Sequence, residues 1–139
     1  MTPWALQQAI HSRFAGYADL TALLASDPRF SQPAIYDHVP QNAAFPYVVI
    51  GETTAAPFDT DTSTGGDYTA TIHCWSQYRG RKEVKEIQAE LYNALHRHDL
   101  VVSGNHTVTC EWEYAETVLD PDGLTRQGIS RFRVVLEQI

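Results

Sequence analysis

Apolar and polar positions change period several times along the chain, and each change marks an element. Residues 3–14 read as a short helix, with Thr2 placed to cap it and Pro3 at the first helical position, where a missing N–H costs nothing. Trp4, Ile10 and Phe14 are its expected buried residues. A second helix is predicted from Tyr17 to Ala25, with Leu20, Leu23 and Leu24 at helical spacing and Asp27-Pro28 as the stop. Ala34-Ile35-Tyr36 reads as a brief strand and 40–44 as a loop. Pro46-Tyr47-Val48-Val49-Ile50 is a β run whose unbroken apolarity predicts cover on both faces.

Residues 53–66 show no period and are crowded with turn formers, so they are expected to form one long exposed loop. From Asp67 to Ser76 the chain returns to strand, with Tyr68, Ala70, Ile72 and Cys74 on one face and Thr69, Thr71, His73 and Trp75 on the other. The strongest helical pattern runs from Gly80 to Arg97, with an apolar stripe of Val84, Ile87, Leu91, Ala94 and Leu95. His106 to Leu119 alternates. Val108, Cys110, Trp112, Tyr114 and Val118 form the apolar set, which predicts a strand with one wet or interfacial face. Asp120-Pro121-Asp122-Gly123 is a turn, because Pro presets φ and Gly takes the left-handed position. The final strand has Phe132, Val134 and Leu136 on its apolar face. A three-residue turn would pair Asp120 with Leu124, Trp112 with Phe132 and Cys110 with Val134. The same register sets Glu111 opposite Arg133 and Glu113 opposite Arg131, so opposite charges face each other.

These elements predict one α+β domain over residues 1–139. It is an antiparallel sheet of about four strands with helices packed on it, a C-terminal β-hairpin and the long 53–66 loop. Composition agrees with a folded chain: 43% hydrophobic and 19% charged over 139 residues. The net charge of −7 argues against a grip on duplex DNA through its phosphates, though it suits a surface that DNA slides past. Met1-Thr2-Pro3-Trp4 has no basic region followed by an apolar run, so no signal peptide is expected. No apolar stretch is long enough for a bilayer. Cys74 and Cys110 have no ligand spacing. They read as buried free thiols, with a bridge between them as the sharper alternative.

Motifs that carry chemistry are mostly missing. There is no G-x-S-x-G, no phosphate loop and no G-x-G-x-x-G, so no catalytic residue, cofactor or metal ligand is assigned and the chain reads as a non-enzyme. His96 and His98 are two apart at a helix end and point to different sides. Asp59, Asp61 and Ser63 start like a calcium loop. The sixth position, however, is Thr64 rather than glycine, and the twelfth is Ala70 rather than glutamate. Tyr78-Arg79-Gly80-Arg81-Lys82 is more informative, because positive charge opens a helix where the dipole disfavours it. One reading is an ordinary solvated turn offset by Glu83 and Glu86. The other is a contact with an acidic surface of another copy, for which the segment 59–67 is the complement. Such a head-to-tail contact closes into a ring. The interface residues predicted on this reading are Phe58, Asp59, Asp61, Asp67, Arg79, Arg81 and Lys82.

Three stretches carry a resemblance: 45–52 (FPYVVIGE), 75–83 (WSQYRGRKE) running into a helix that ends at Leu95-His96, and 120–128 (DPDGLTRQG) followed by the Arg-Phe-Arg strand. Together they resemble the tail-completion, or tail-terminator, family of long-tailed phages, prophages and gene transfer agents, from about Ile35 to the end of the chain. The resemblance implies a structural virion protein with no cofactor and no catalysis. It implies a homo-oligomeric ring, usually a hexamer, at the head–tail junction. The ring caps the tail tube protein, ends tail growth and docks the head-completion or connector protein. DNA would only pass through the channel, no membrane would be involved, and assembly would take place in the bacterial cytoplasm. Two other readings remain: another ring-forming part of the same junction or tube, and a monomeric ligand-binding domain or small enzyme with a deep pocket.

Overall fold

Eight elements make up the structure, a computed structural model that describes residues 2–29 and 33–139. They are α1 (Pro3–Ala15), α2 (Ala18–Thr21), β1 (Ile35–Tyr36), β2 (Tyr47–Pro57), β3 (Gly65–Ser76), α3 (Lys82–Leu95), β4 (Asn105–Leu119) and β5 (Arg126–Gln138). The fold is α+β. The sheet has five strands in the order β1-β2-β3-β5-β4, and it is mixed, because the two-residue β1 lies parallel to β2 while every other pair is antiparallel. The expected sheet of about four antiparallel strands is corrected to that extent.

One face of the sheet carries the helices. Tyr68, Ala70, Ile72 and Cys74 of β3 and Phe132, Val134 and Leu136 of β5 form a single core with Leu6, Ile10 and Phe14 of α1 and the α3 stripe Val84, Ile87, Leu91, Ala94 and Leu95. Each buried Leu or Phe contributes roughly 1.5–3 kcal/mol by leaving water. A smaller cluster of Ala34, Tyr36 and Tyr47, with Phe45, Val49 and Trp75 against it, lies beside this core.

Trp4 is 62% exposed, against expectation. It is two residues, or about 200°, from the buried Leu6, so it lies on the far side of α1. Thr2 holds the cap position without making the cap bond. Its N–H donates to the Tyr68 hydroxyl (2.9 Å) and its hydroxyl accepts from Asn105 Nδ2 (3.3 Å), tying the start of α1 to β3 and β4. The second helix stops at Thr21, and single-turn bonds carry the chain on to Leu24.

The long loop is corrected too. Thr53–Pro57 belongs to β2 and pairs with Gly66–Ala70, which leaves residues 58–64 as the connection. No period was visible in 53–57 because both faces of that stretch are exposed. Gly65 and Gly66 look like turn formers but begin β3. A Cβ on Gly66 would stand 2.5 Å from the Tyr68 ring, so the missing side chain is what lets that buried ring lie over the strand.

In the C-terminal hairpin, Cys110–Val134, Glu111–Arg133 and Trp112–Phe132 pair as expected. Bulges between Thr107 and Thr109 and between Trp112 and Tyr114 then shift the ladder, so Arg131 pairs with Tyr114 and not with Glu113. The turn is longer than three residues. Leu119 pairs with Arg126, and Asp120 N–H donates to Thr125 O (2.8 Å), so Asp120 does not face Leu124. The bulges also break the single apolar face expected of β4: Cys110 is its buried residue, while Val108, Trp112 and Val118 are exposed.

Cys74 lies beside Gly128 and Cys110 beside Val134, six residues apart along β5, or about 20 Å, which rules out a bridge. Both thiols are free and buried, and burial pushes each up to about 12.

Candidate assembly interface

All of the predicted interface residues except Asp67 lie at the two ends of the same strand. At one end the β2–β3 connection presents an acidic tip. Phe58 N–H donates to Gly65 O (3.1 Å), Thr60 N–H to Ser63 O (2.8 Å), and Gly65 N–H to Asp59 Oδ1 (3.2 Å). Gln138 N–H reaches Thr64 O (2.8 Å), which fastens the tip to the end of β5. Phe58 is 38% exposed, and Asp59 and Asp61 are exposed. The Asp59 carboxylate is thus used inside its own turn. Among the described residues, no group of three or more His, Cys, Asp or Glu is placed to hold a metal.

At the other end, residues 77–81 link β3 to α3. Ser76 is buried and accepts from Tyr78 N–H (3.0 Å) while donating to Glu83 Oε1 (2.7 Å), so the first-turn carboxylate of α3 holds the turn. Gln77 Nε2 donates to Thr125 Oγ1 (3.2 Å) and Arg126 Nη1 to Tyr78 O (3.3 Å), which joins this turn to the β4–β5 turn. There Asp122 accepts from Thr125 N–H, Leu124 N–H and the Thr125 hydroxyl at 2.7–2.8 Å. These bonds, the Thr125 N–H first, hold its carboxyl below the usual range. Arg79 and Arg81 are exposed and form no ion pair among the described residues. Lys82 makes a loose one with Glu86 at 3.9 Å.

From Gly65 to Ser76 the strand spans about 36 Å, so the acidic tip and the basic turn cannot touch within one chain. Asp67 does not belong with the tip. It lies in β3, where Arg133 clasps it with both Nε and Nη2 (2.8–3.2 Å) and holds its carboxyl below the ordinary value. The expected charge ladder across the hairpin is thus redirected, with Arg133 serving β3 rather than Glu111.

Two features were not read from the sequence. The first is a pair of open sheet edges. Beside β2, β1 covers only Val48 and Val49, so Gly51–Pro57 lies open. On the far side, β4 is the edge strand, but the segment after α3 lies along its first half, where Arg97 N–H donates to Cys110 O (2.7 Å) and Trp112 N–H donates to His96 Nδ1 (3.1 Å), so among the described residues it is 113–119 that lies open. The second is an exposed aromatic cluster between α3 and β4. Tyr92 stacks on His96 (4.6 Å) and meets Trp112 edge-on (5.6 Å), and Trp112 N–H donates to His96 Nδ1 (3.1 Å). The four-residue step from Tyr92 to His96 is a legible helical spacing, but nothing in the sequence points it at Trp112. Among the described residues no helix is long and apolar enough to cross a membrane.

The family model described as tail completion protein gp17 matches residues 8–137. The chain is 33% identical to the tail completion protein gp17 of Bacillus phage SPP1 over 92 residues, which is 66% of this chain and 68% of that one. It is also similar to a chain in the virion of a native gene transfer agent particle. That match has a TM-score of 0.82 and 26% identity, over 95% of this chain and 94% of the other.

Proposed function

Because the chain belongs to the tail completion protein gp17 family, whose members are structural parts of tails rather than enzymes, we propose that it forms a ring at the head-proximal end of a tail tube. The ring ends tube growth and supplies the face on which the head-side connector docks. The observation that carries this reading is the likeness over almost the whole chain to a virion subunit of a gene transfer agent. The chemistry of the surface supports it. The predicted partner residues fall into two sets at opposite ends of a rigid sheet: Phe58, Asp59 and Asp61 at one end, and Arg79, Arg81 and Lys82 at the other. A subunit with two unlike ends suits a junction between two unlike partners, and the overall charge of −7 suits a channel that DNA passes without sticking.

The test is deletion of the gene in a producing strain. The expected result is separate full heads and unjoined tails of uncontrolled length, restored by the gene in trans. Infectious or transducing particles of normal form without the protein would refute the reading. Assembly would take place in the bacterial cytoplasm, and the protein would remain at the head–tail junction.

A further inference from the structure

The two open edges of the sheet differ in a way that selects their occupant. The four long strands alternate in direction across the sheet in the order β2, β3, β5, β4, so β2 and β4 are antiparallel to each other. A second copy placed alongside without turning over therefore presents its β2 antiparallel to the first copy's β4, and the alternation continues. Each addition leaves the same two unlike edges free, so the contact is heterologous and is satisfied fully only on closure.

The side chains favour the same pairing. Gly51–Pro57 reads GETTAAP, with small residues in most positions, one carboxylate and no lysine to guard the edge. The open part of the β4 edge, residues 113–119, is bulky and acidic, with Val118 and Leu119 exposed and Glu113 and Glu116 along it. Two β4 edges brought together would oppose carboxylates, whereas the small, nearly neutral β2 edge gives the bulky one room. The outward N–H and C=O groups of 51–57 and of 113–119 provide the main-chain bonds, whereas Cys110 C=O and Trp112 N–H are already taken by Arg97 and His96.

We propose that residues 113–119 on the β4 edge of each subunit receive the 51–57 edge of the next copy, so that the sheet runs on from subunit to subunit. This rests on the ring reading and adds to it the surface that joins the copies. It leaves the acidic tip and the basic turn free for the partners above and below.

Disulfide trapping tests it. Thr54→Cys is combined in turn with Tyr114→Cys, Glu116→Cys and Val118→Cys, which sit on the helix-free face of the open stretch and scan the stagger between copies. Within one chain Thr54 and each of these positions are separated by β3 and β5, at least about 14 Å, which is beyond disulfide reach. The native thiols are buried and do not compete. After mild oxidation, one pair is expected to give a reducible ladder rising to the full ring, while single-cysteine variants stop at dimer. The same samples are imaged, alone and with tail tubes. Rings without a ladder from any pair would overturn the edge contact and leave the ring reading standing. Monomers under both conditions would overturn the two together.

Discussion

Gly128→Ala perturbs the seat of α3, the helix that carries the basic turn at its start. A Cβ at this position would stand 2.6 Å from Cys74 Sγ, 2.8 Å from Gln88 Nε2 and 2.9 Å from Val84 Cγ2. Gln88 is a side-chain tip and can move aside, although it would lose its 2.9 Å bond to Glu116 O. Cys74 and Val84 are fully buried and cannot move without lifting α3. Overpacking of this kind costs about 1–3 kcal/mol, partly offset by about 0.4–1 kcal/mol from the stiffer unfolded chain. The net loss of about 1–2 kcal/mol should lower Tm by about 3–10 °C. Cys74→Ala alone leaves a small cavity and costs on the order of 1–2 kcal/mol. Combined, the two should be less damaging than their sum by at least about 1 kcal/mol, because the new methyl fills the space the sulfur left. The assay is urea unfolding of the four proteins of the cycle, followed by circular dichroism. A neutral or stabilising Gly128→Ala, or strict additivity, would show that α3 does not rest on the sheet at this point.

Two other predictions concern charge. Replacing Arg79, Arg81 and Lys82 with Glu should leave the fold intact, since all three are exposed and acidic groups suit a helix N-terminus better. It should block tail joining in a complementation assay, and normal joining would show that the basic turn contacts no partner. Asp67 titrates below its ordinary value because Arg133 holds it, so its contribution is present above the unfolded carboxyl range of about 4 and is lost as pH falls through the lower folded value. The stability gap between wild type and Asp67→Asn, read from urea midpoints, should therefore be open at pH 7 and close on acidification. A gap that widened in acid would contradict the pairing.

The core was legible because burial writes a period into the sequence. The α3 stripe and the alternating face of β3 were both read residue by residue, and both are buried in the structure. Where burial is missing, so is the signal. Thr53–Pro57 is a strand exposed on both faces, and it read as loop. The bulges in β4 left no mark of their own, so the hairpin register was right at Cys110, Glu111 and Trp112 and one residue off beyond them. The candidate interface divides along the same line. Clustered charge made the basic turn and the acidic tip visible, and the strand expected over Asp67 to Ser76 already set them at opposite ends. The open edges are a property of sheet order alone.

The most direct test is the mass and shape of the purified protein, measured by light scattering and negative-stain imaging, alone and mixed with tail tubes. The expected particle is a closed ring of several 15.6 kDa subunits, with a channel wide enough for duplex DNA, seated on one end of each tube. A particle that stays at 15.6 kDa under both conditions and leaves tube ends bare would contradict it.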